Sequence, residues 1–526
     1  MSYQSFGFIL FVSIVLLVYY TIGRKKQLWV LAIANLAFYA VEGFQYIPFI
    51  LVTIITTFLV GKKIGNIYEE VDKKLVNCIE VAEKKQLRAE AKTQAKKVLL
   101  IGIFVTIILL VMCKYTNFIV ENINSVLTAV GAPQIAIFQM ILPLGISFYS
   151  FMALSYVLDI YWKRYKAEQS FLMYAVYLSY FPHVVQGPID RFNEFKVQVE
   201  KGIKCSYKDI TYGAQLAVWG FFKKLVIADR LDIFVDDVFS RYRECYGSIL
   251  IIAVAVYSIQ IYTDFSGCID IVTGVSEMFG IRLRKNFNHP YFAKTMAEFW
   301  RRWHISLQEW FKDYIYFPVS TSSLTKNVKK HYQVKEKMRA AELFASCFPV
   351  FVVWMVTGIW HGAAWKFVIW GMYHAMLLIG SNIFAPICER VTKTLHLDTE
   401  NFGWRFWQMS RTYILCCIGR VFFRAAEVES AFVILKKMFL QITPGALFRS
   451  GVVYGIEKPD IVVAVVAVFV LWVVDMLQER MKIRDALAKQ NIVFRWIIIY
   501  IGIFSVIIFG IYGPGYNASG FIYQQF

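Results

Sequence analysis

Apolar runs recur along the whole chain, near residues 5–22, 28–42, 44–60, 97–113, 137–160, 212–228, 248–264, 342–359, 363–384, 409–424, 460–477 and 493–512, and charged stretches separate many of them. Runs of this kind predict helices that cross a bilayer, a task that takes about 20 apolar residues. Several runs fall short of that length, so some of them are expected to be buried or re-entrant. The pattern predicts an all-α integral membrane protein, polytopic, with one membrane domain over residues 1–512.

The polar positions assign sides. Arg24, Lys25 and Lys26 follow the first run, and ten Lys/Arg lie within 61–97. Basic loops stay in the cytoplasm, so 61–97 reads as a basic cytoplasmic loop, its charge spacing suited to surface helices. The N-terminus then starts outside. The run Phe6–Tyr20 lacks a basic leader and a small-residue cleavage site, and is read as a retained first span. Lys326 to Arg339 and Arg480 to Arg495 are also placed inside, which sends the last span outward. Residues 513–526 hold no Lys, Arg, Asp or Glu, and Gly513-Pro514-Gly515 stops the helix before them. This tail is expected on the outer face. With both termini extracytoplasmic the crossings must be even in number, and about ten to twelve are expected.

Composition supports the membrane reading: 58% of residues are hydrophobic and 18% charged, with a mean hydropathy of +0.51. The net charge of +19 is what basic cytoplasmic loops produce, and nucleic-acid binding is not inferred from it. Nine cysteines occur without a Cys-x-x-Cys pair, so they read as packing residues. No His-Glu-x-x-His metal motif and no phosphate-cradling Gly-x-x-x-x-Gly-Lys is present, and no metal site is expected.

Ionisable groups inside apolar runs are the candidates for chemistry. His361 lies in Trp360-His361-Gly362, within the stretch from Leu343 to Ala385, and glycines 358 and 362 on either side of it allow a tight turn or a close backbone approach. A packing histidine satisfied by a carbonyl is the alternative, and for His374 that alternative is preferred. From Glu298 to Pro318 the chain is too charged to span and reads as one amphipathic helix. Phe299, Trp303, Leu307, Trp310 and Tyr314 form one stripe, with Trp300, His304, Gln308 and Phe311 on the next. Asp264 and Asp270 are expected to pair with Arg301 or Arg302. Gln186-Gly187-Pro188 reads as a turn beside His183.

These segments resemble the paired signatures of the membrane-bound O-acyltransferases (MBOAT), in the bacterial branch of alginate O-acetyltransferases and the teichoic-acid D-alanyl transferase. Further matching pieces run in the family's order: Pro143 to Phe151, Phe181 to Ile189, Tyr262 to Gly267 and Asn286 to Pro290. The resemblance implies a helical bundle around a central tunnel between the two membrane faces. It implies that His361 is the catalytic histidine and His304 a second active-site group. Trp300, Trp303, Gln308, Trp360, Asp264, His183 and His374 are the candidates for lining that tunnel or supporting it. A neutral imidazole can take a hydroxyl proton as the oxygen attacks a thioester, and such help is typically worth ~10²–10⁴-fold. The ending Phe521 to Phe526 resembles the branch's Phe-Ile-Tyr-Phe-x-Phe terminus, with Gln524 where that has Phe. It implies that Tyr523 can carry the acyl group as a covalent relay, or else anchor the tail by packing.

The function expected is transfer of an acyl group, with acetyl favoured, from a cytoplasmic thioester across the membrane for O-acylation of an exported or cell-envelope polysaccharide. No bound cofactor is expected; acyl-CoA, acetyl-CoA above all, or an acyl carrier thioester serves as donor substrate. The resemblance also implies an extracytoplasmic SGNH-hydrolase-like transferase as partner. The alternatives are D-alanyl transfer to teichoic acid, and a transporter or channel using buried His and Asp. Location in the plasma (inner) membrane, multi-pass, goes with all of these.

Overall fold

The structure, a computed structural model, describes residues 2–138, 141–443, 445 and 454–512. The described chain is helical. Among the described residues the only strand-like pairing is an isolated antiparallel bridge between Phe287 and Trp303. Two compact units are formed, one from Met1–Ala217 with Val272–Arg284 and the other from Val218–Ile271 with Lys285–Phe526.

The first unit opens with α1 (Phe6–Thr21), whose amide of Phe8 is capped by the Ser5 hydroxyl at 3.1 Å, followed by α2 (Gln27–Glu42). Then come α3 (Ile47–Asn77), α4 (Val81–Lys114) and α5 (Ile146–Tyr161), which pack on one another. Small residues set their approach: a Cβ on Gly61 would lie 2.6 Å from the Tyr156 ring. The basic stretch 61–97 consists of the ends of α3 and α4 and the turn between them, so its charges lie on continuations of two long apolar helices.

The second unit is built on α6 (Gly247–Met278) as far as Ile271, and on a π-helical turn, Phe222–Ala228. The two touch backbone to backbone. A Cβ on Gly220 would meet the Gly267 carbonyl oxygen at 2.6 Å, and one on Gly267 would meet the Lys224 amide at 3.1 Å. Short helices α7 (Met296–Arg302) and α8 (Ile305–Phe311) lead to a hairpin of α9 (Met338–His361) and α10 (Trp365–Thr394), followed by α11 (Phe402–Arg424). Helices α12 (Lys458–Gln478) and α13 (Ile492–Phe509) complete it. The far end of α13 is pinned: Arg230 donates to Asp460 and to the Phe509 carbonyl, both at 2.9 Å, and the Ile511 amide donates to the Leu225 carbonyl at 3.0 Å.

Among the described residues seven helices, α3 with the short turn before it, α4, α6, α9, α10, α12 and α13, are long and apolar enough to cross a membrane. Two further apolar helices, α1 and α5, are shorter, at 16 residues each. No helix residue of α13 is buried, as expected of a helix whose side chains face lipid.

Candidate functional site

His361 is the last residue of α9, and Gly362 begins the turn into α10. The helix runs unbroken through Gly358. That glycine instead permits a crossing: its Cβ would lie 2.5 Å from the Phe367 carbonyl oxygen, and a Cβ on Gly371 would lie 2.4 Å from the Trp354 oxygen. Gly362 marks the break itself, where a Cβ would strike the Phe367 ring at 2.2 Å. The hairpin is therefore closed without side chains between its backbones, and it sets His361 among rings. The imidazole is 4% exposed, with Trp360 at 5.0 Å, Trp370 at 4.9 Å and Phe423 at 5.4 Å between centroids.

The expected single helix over 298–318 is broken in the middle. α7 ends at Arg302, Trp303 is extended, and His304 sits in the left-handed region at φ +48° before α8 begins. Such a conformation is uncommon outside glycine and needs the surroundings to hold it. They do so through segment 286–288. The Asn288 amide donates to the Arg302 carbonyl and the Ile305 amide to the Asn286 carbonyl, each at 2.9 Å. The Asn286 side-chain oxygen accepts from the Ser306 amide at 3.1 Å and the Ser306 hydroxyl at 2.8 Å, and lies 3.2 Å from His304 Nδ1. An oxygen that accepts from a backbone amide has its identity fixed, so His304 Nδ1 is the donor in that contact. Neutral His304 then holds its proton on Nδ1, leaving Nε2 an acceptor. Burial pushes its pKa down to about 3, so the ring is neutral near pH 7.

Trp360 joins the two histidines. Its indole is 5.0 Å from His361 and 6.2 Å from His304, residues that are 361 − 304 = 57 positions apart. Trp300 packs on Trp354 at 4.6 Å and His374 at 4.8 Å, and Trp370 bridges His374 at 4.8 Å to His361 at 4.9 Å. Trp303 stacks on Phe299 at 5.6 Å. The second unit thus gathers His304, His361, His374, Trp300, Trp303 and Trp360. Gln308 lines a wider cavity of about 370 Å³ beside Trp300, together with Arg301, Lys312 and Tyr316.

Other expectations are placed differently. Asp264 does not pair with Arg301 or Arg302; it accepts from Lys224 at 2.6 Å, and Lys224 also reaches Asp229 at 2.8 Å. Asp270 pairs with Lys223 at 2.6 Å. The π-helical turn puts both consecutive lysines inside, 4% and 0% exposed, next to α6 at its closest approach. Arg302 instead pairs with Glu298 at 3.0 Å and with Glu479. His183 belongs to the first unit, where Asp190 and the Tyr177 carbonyl hold its ring at 3.2 and 2.9 Å. Tyr523 lies outside the described residues. Asn286 and Arg420 are the members of this region without an expected role. Arg420 carries the signal that singled out His361, an ionisable side chain in an apolar run. Among the described residues no group of His, Cys, Asp or Glu could hold a metal ion.

Seven bilayer-length helices among the described residues and a pair of buried histidines on one indole define a multi-span membrane protein with ionisable groups in its interior. The chain belongs to the MBOAT, membrane-bound O-acyltransferase, family and is an O-acyltransferase. The family match covers residues 166–334, which include His304. The chain is 30% identical to the probable alginate O-acetylase AlgI of Pseudomonas syringae pv. tomato, over 80% of its own length and 72% of that protein. It is 29% identical to the peptidoglycan O-acetyltransferase of Helicobacter pylori, over 78% and 73%. With the teichoic acid D-alanyltransferase of Bacillus subtilis it shares 29% identity over 46% of this chain and 59% of that one.

Proposed function

We propose that this O-acyltransferase takes an acetyl group from a cytoplasmic thioester, acetyl-CoA or an acyl carrier, and moves it across the membrane for O-acylation of an exported or cell-envelope polysaccharide. The observation that carries the proposal is the convergence of His361 and His304 on Trp360 in a buried aromatic setting. In this reading His361 is the general base. It takes the proton of the acceptor hydroxyl as that oxygen attacks the thioester carbonyl carbon; the C–S bond breaks, and the sulfur leaves as a thiolate that then takes up a proton. His304, neutral and tied to Asn286, is the orienting group. Tyr523 is the first acceptor, and a phenyl ester is activated enough to hand the acetyl on. An outer SGNH-hydrolase-like transferase receives it.

The cavity of about 370 Å³ supports a thioester donor: it has the size of a small-molecule site, and Arg301 and Lys312 offer charge to phosphates. The relatives named as O-acetylases match more of the chain than the D-alanyl transferase does, which favours acetyl, and the family favours acyl transfer over transport.

The test is incubation of the purified protein with labelled acetyl-CoA and mapping of the label by mass spectrometry. Label is expected on Tyr523, with formation slowed ~10²–10⁴-fold in His361→Ala. Normal labelling in Tyr523→Phe removes the relay, and normal labelling in His361→Ala removes the base.

A further inference from the structure

A cavity of about 20 Å³ lies behind Trp370 and Phe423, the rings that pack on His361, and Trp300, His374 and Arg420 line it. Each of these three residues has a buried nitrogen without a hydrogen-bond partner among the described residues: Trp300 Nε1, His374 Nδ1 and Arg420 Nη1. The other nitrogen of His374 faces Gly419, where a Cβ would come within 2.9 Å of it.

Arg420 is 6% exposed and forms no ion pair with a carboxylate among the described residues. Its guanidinium lies over the rings of Tyr291, Phe299 and Trp303 at 5.3, 5.7 and 5.1 Å. Ring faces attract a cation weakly and cannot neutralise it. Buried charges are ordinarily matched by opposite charge, and buried donors by acceptors. Both requirements are unmet in residues that line one cavity. A water would satisfy the donors and leave the charge. The space, about 20 Å³, exceeds the ~10–15 Å³ that one water needs and is far too small for a long chain.

We propose that Arg420, Trp300 and His374 form a binding subsite for a small carboxylate, no larger than acetate. It depends on the acyl-transfer reading only for the source of that carboxylate, which is the free acid of the acyl group. A planar guanidinium presents paired donors to a carboxylate, and Trp300 Nε1 and the His374 ring supply the third and fourth contacts.

Binding is measured on the full-length protein in nanodiscs, with sodium acetate as the probe. Sodium chloride and acetamide at matched ionic strength are the comparison arms. Saturation-transfer NMR of the acetate methyl and the thermal unfolding midpoint are the readouts. Saturable binding of acetate, absent for acetamide and not displaced by equimolar chloride, is expected. Affinity falls by about tenfold or more in Arg420→Gln and about threefold or more in Trp300→Phe, which keeps an aromatic side chain, though a smaller one, and deletes the donor. Equal effects of chloride or acetamide, or unchanged acetate binding in the two variants, overturn the proposal. If Arg420→Gln does not fold, Trp300→Phe decides. Acetate binding to His361→Ala is unaffected by whether acyl transfer occurs, so a failure here is separate from a failure of the transfer assay.

Discussion

Lys224 and Arg420 are both buried cations of the second unit, and they are treated in opposite ways. Lys224 is fully buried between Asp264 and Asp229 at 2.6 and 2.8 Å, on a turn whose backbone is locked against α6. Arg420 has rings around it and a void in front of it. A matched buried ion pair holds elements together, and removing one partner is costly because the other is left charged in a dry place. An unmatched cation gives the fold little and leaves its charge available to something that arrives. The comparison separates a structural role from a binding role without reference to sequence distance, since both residues sit in apolar runs.

The largest effect is expected from Lys224→Met, which strands two carboxylates and should destabilise by about 3–5 kcal/mol. Its check is the loss of folded protein by size-exclusion profile and unfolding midpoint, with partial recovery when Asp264→Asn is added. No recovery in the double variant would break the distinction. Next, Asn286→Ala removes the acceptor for the Ser306 amide and hydroxyl and for His304. A cost of about 1–3 kcal/mol is expected from the same unfolding measurement.

A smaller effect comes with pH. Folded His304 titrates at about 3, below the ordinary value of 6.5. Above pH 6.5 neither the folded nor the unfolded state binds the proton, and nothing changes. Between about 6.5 and 3 only the unfolded state binds it, so stability falls as the pH falls, by about 1 kcal/mol at pH 6 and more below. Unfolding midpoints measured down the acid range should show a slope that His304→Phe reduces. Smallest of all, Arg420→Met should change stability by less than about 1 kcal/mol, because no carboxylate is left behind. A loss as large as that of Lys224→Met would make Arg420 another structural cation.

Much of this was legible along the chain because lipid imposes a one-dimensional rule. An apolar run of the right length is a helix whatever packs against it, so α3, α4, α6, α9, α10, α12 and α13 all lie on runs that the sequence marks. The burial of His361 at the end of α9 was legible for the same reason, since it lies in such a run. The turn at His304 was not. The 3.6-residue stripe of Phe299, Trp303 and Leu307 continues straight through it, and the break is imposed by Asn286, 304 − 286 = 18 positions away. The partners of Asp264 and Asp270 were hidden similarly. Lys223 and Lys224 both point inward from a π-helical turn, a local departure from the α-helix that the hydrophobic pattern does not mark.

The pinning of the last helix sets a limit on the chain beyond it. Arg230 and Leu225 hold the backbone at Phe509 and Ile511, so whatever follows is tethered to a fixed point. From Tyr512 to Tyr523 is 523 − 512 = 11 residues, a reach of at most about 40 Å even when fully extended. A phenol confined to that radius has an effective concentration on the order of millimolar around its own protein, however dilute the membrane. As an acceptor it would never be scarce, and its acylation would follow first-order kinetics independent of how many copies the membrane holds.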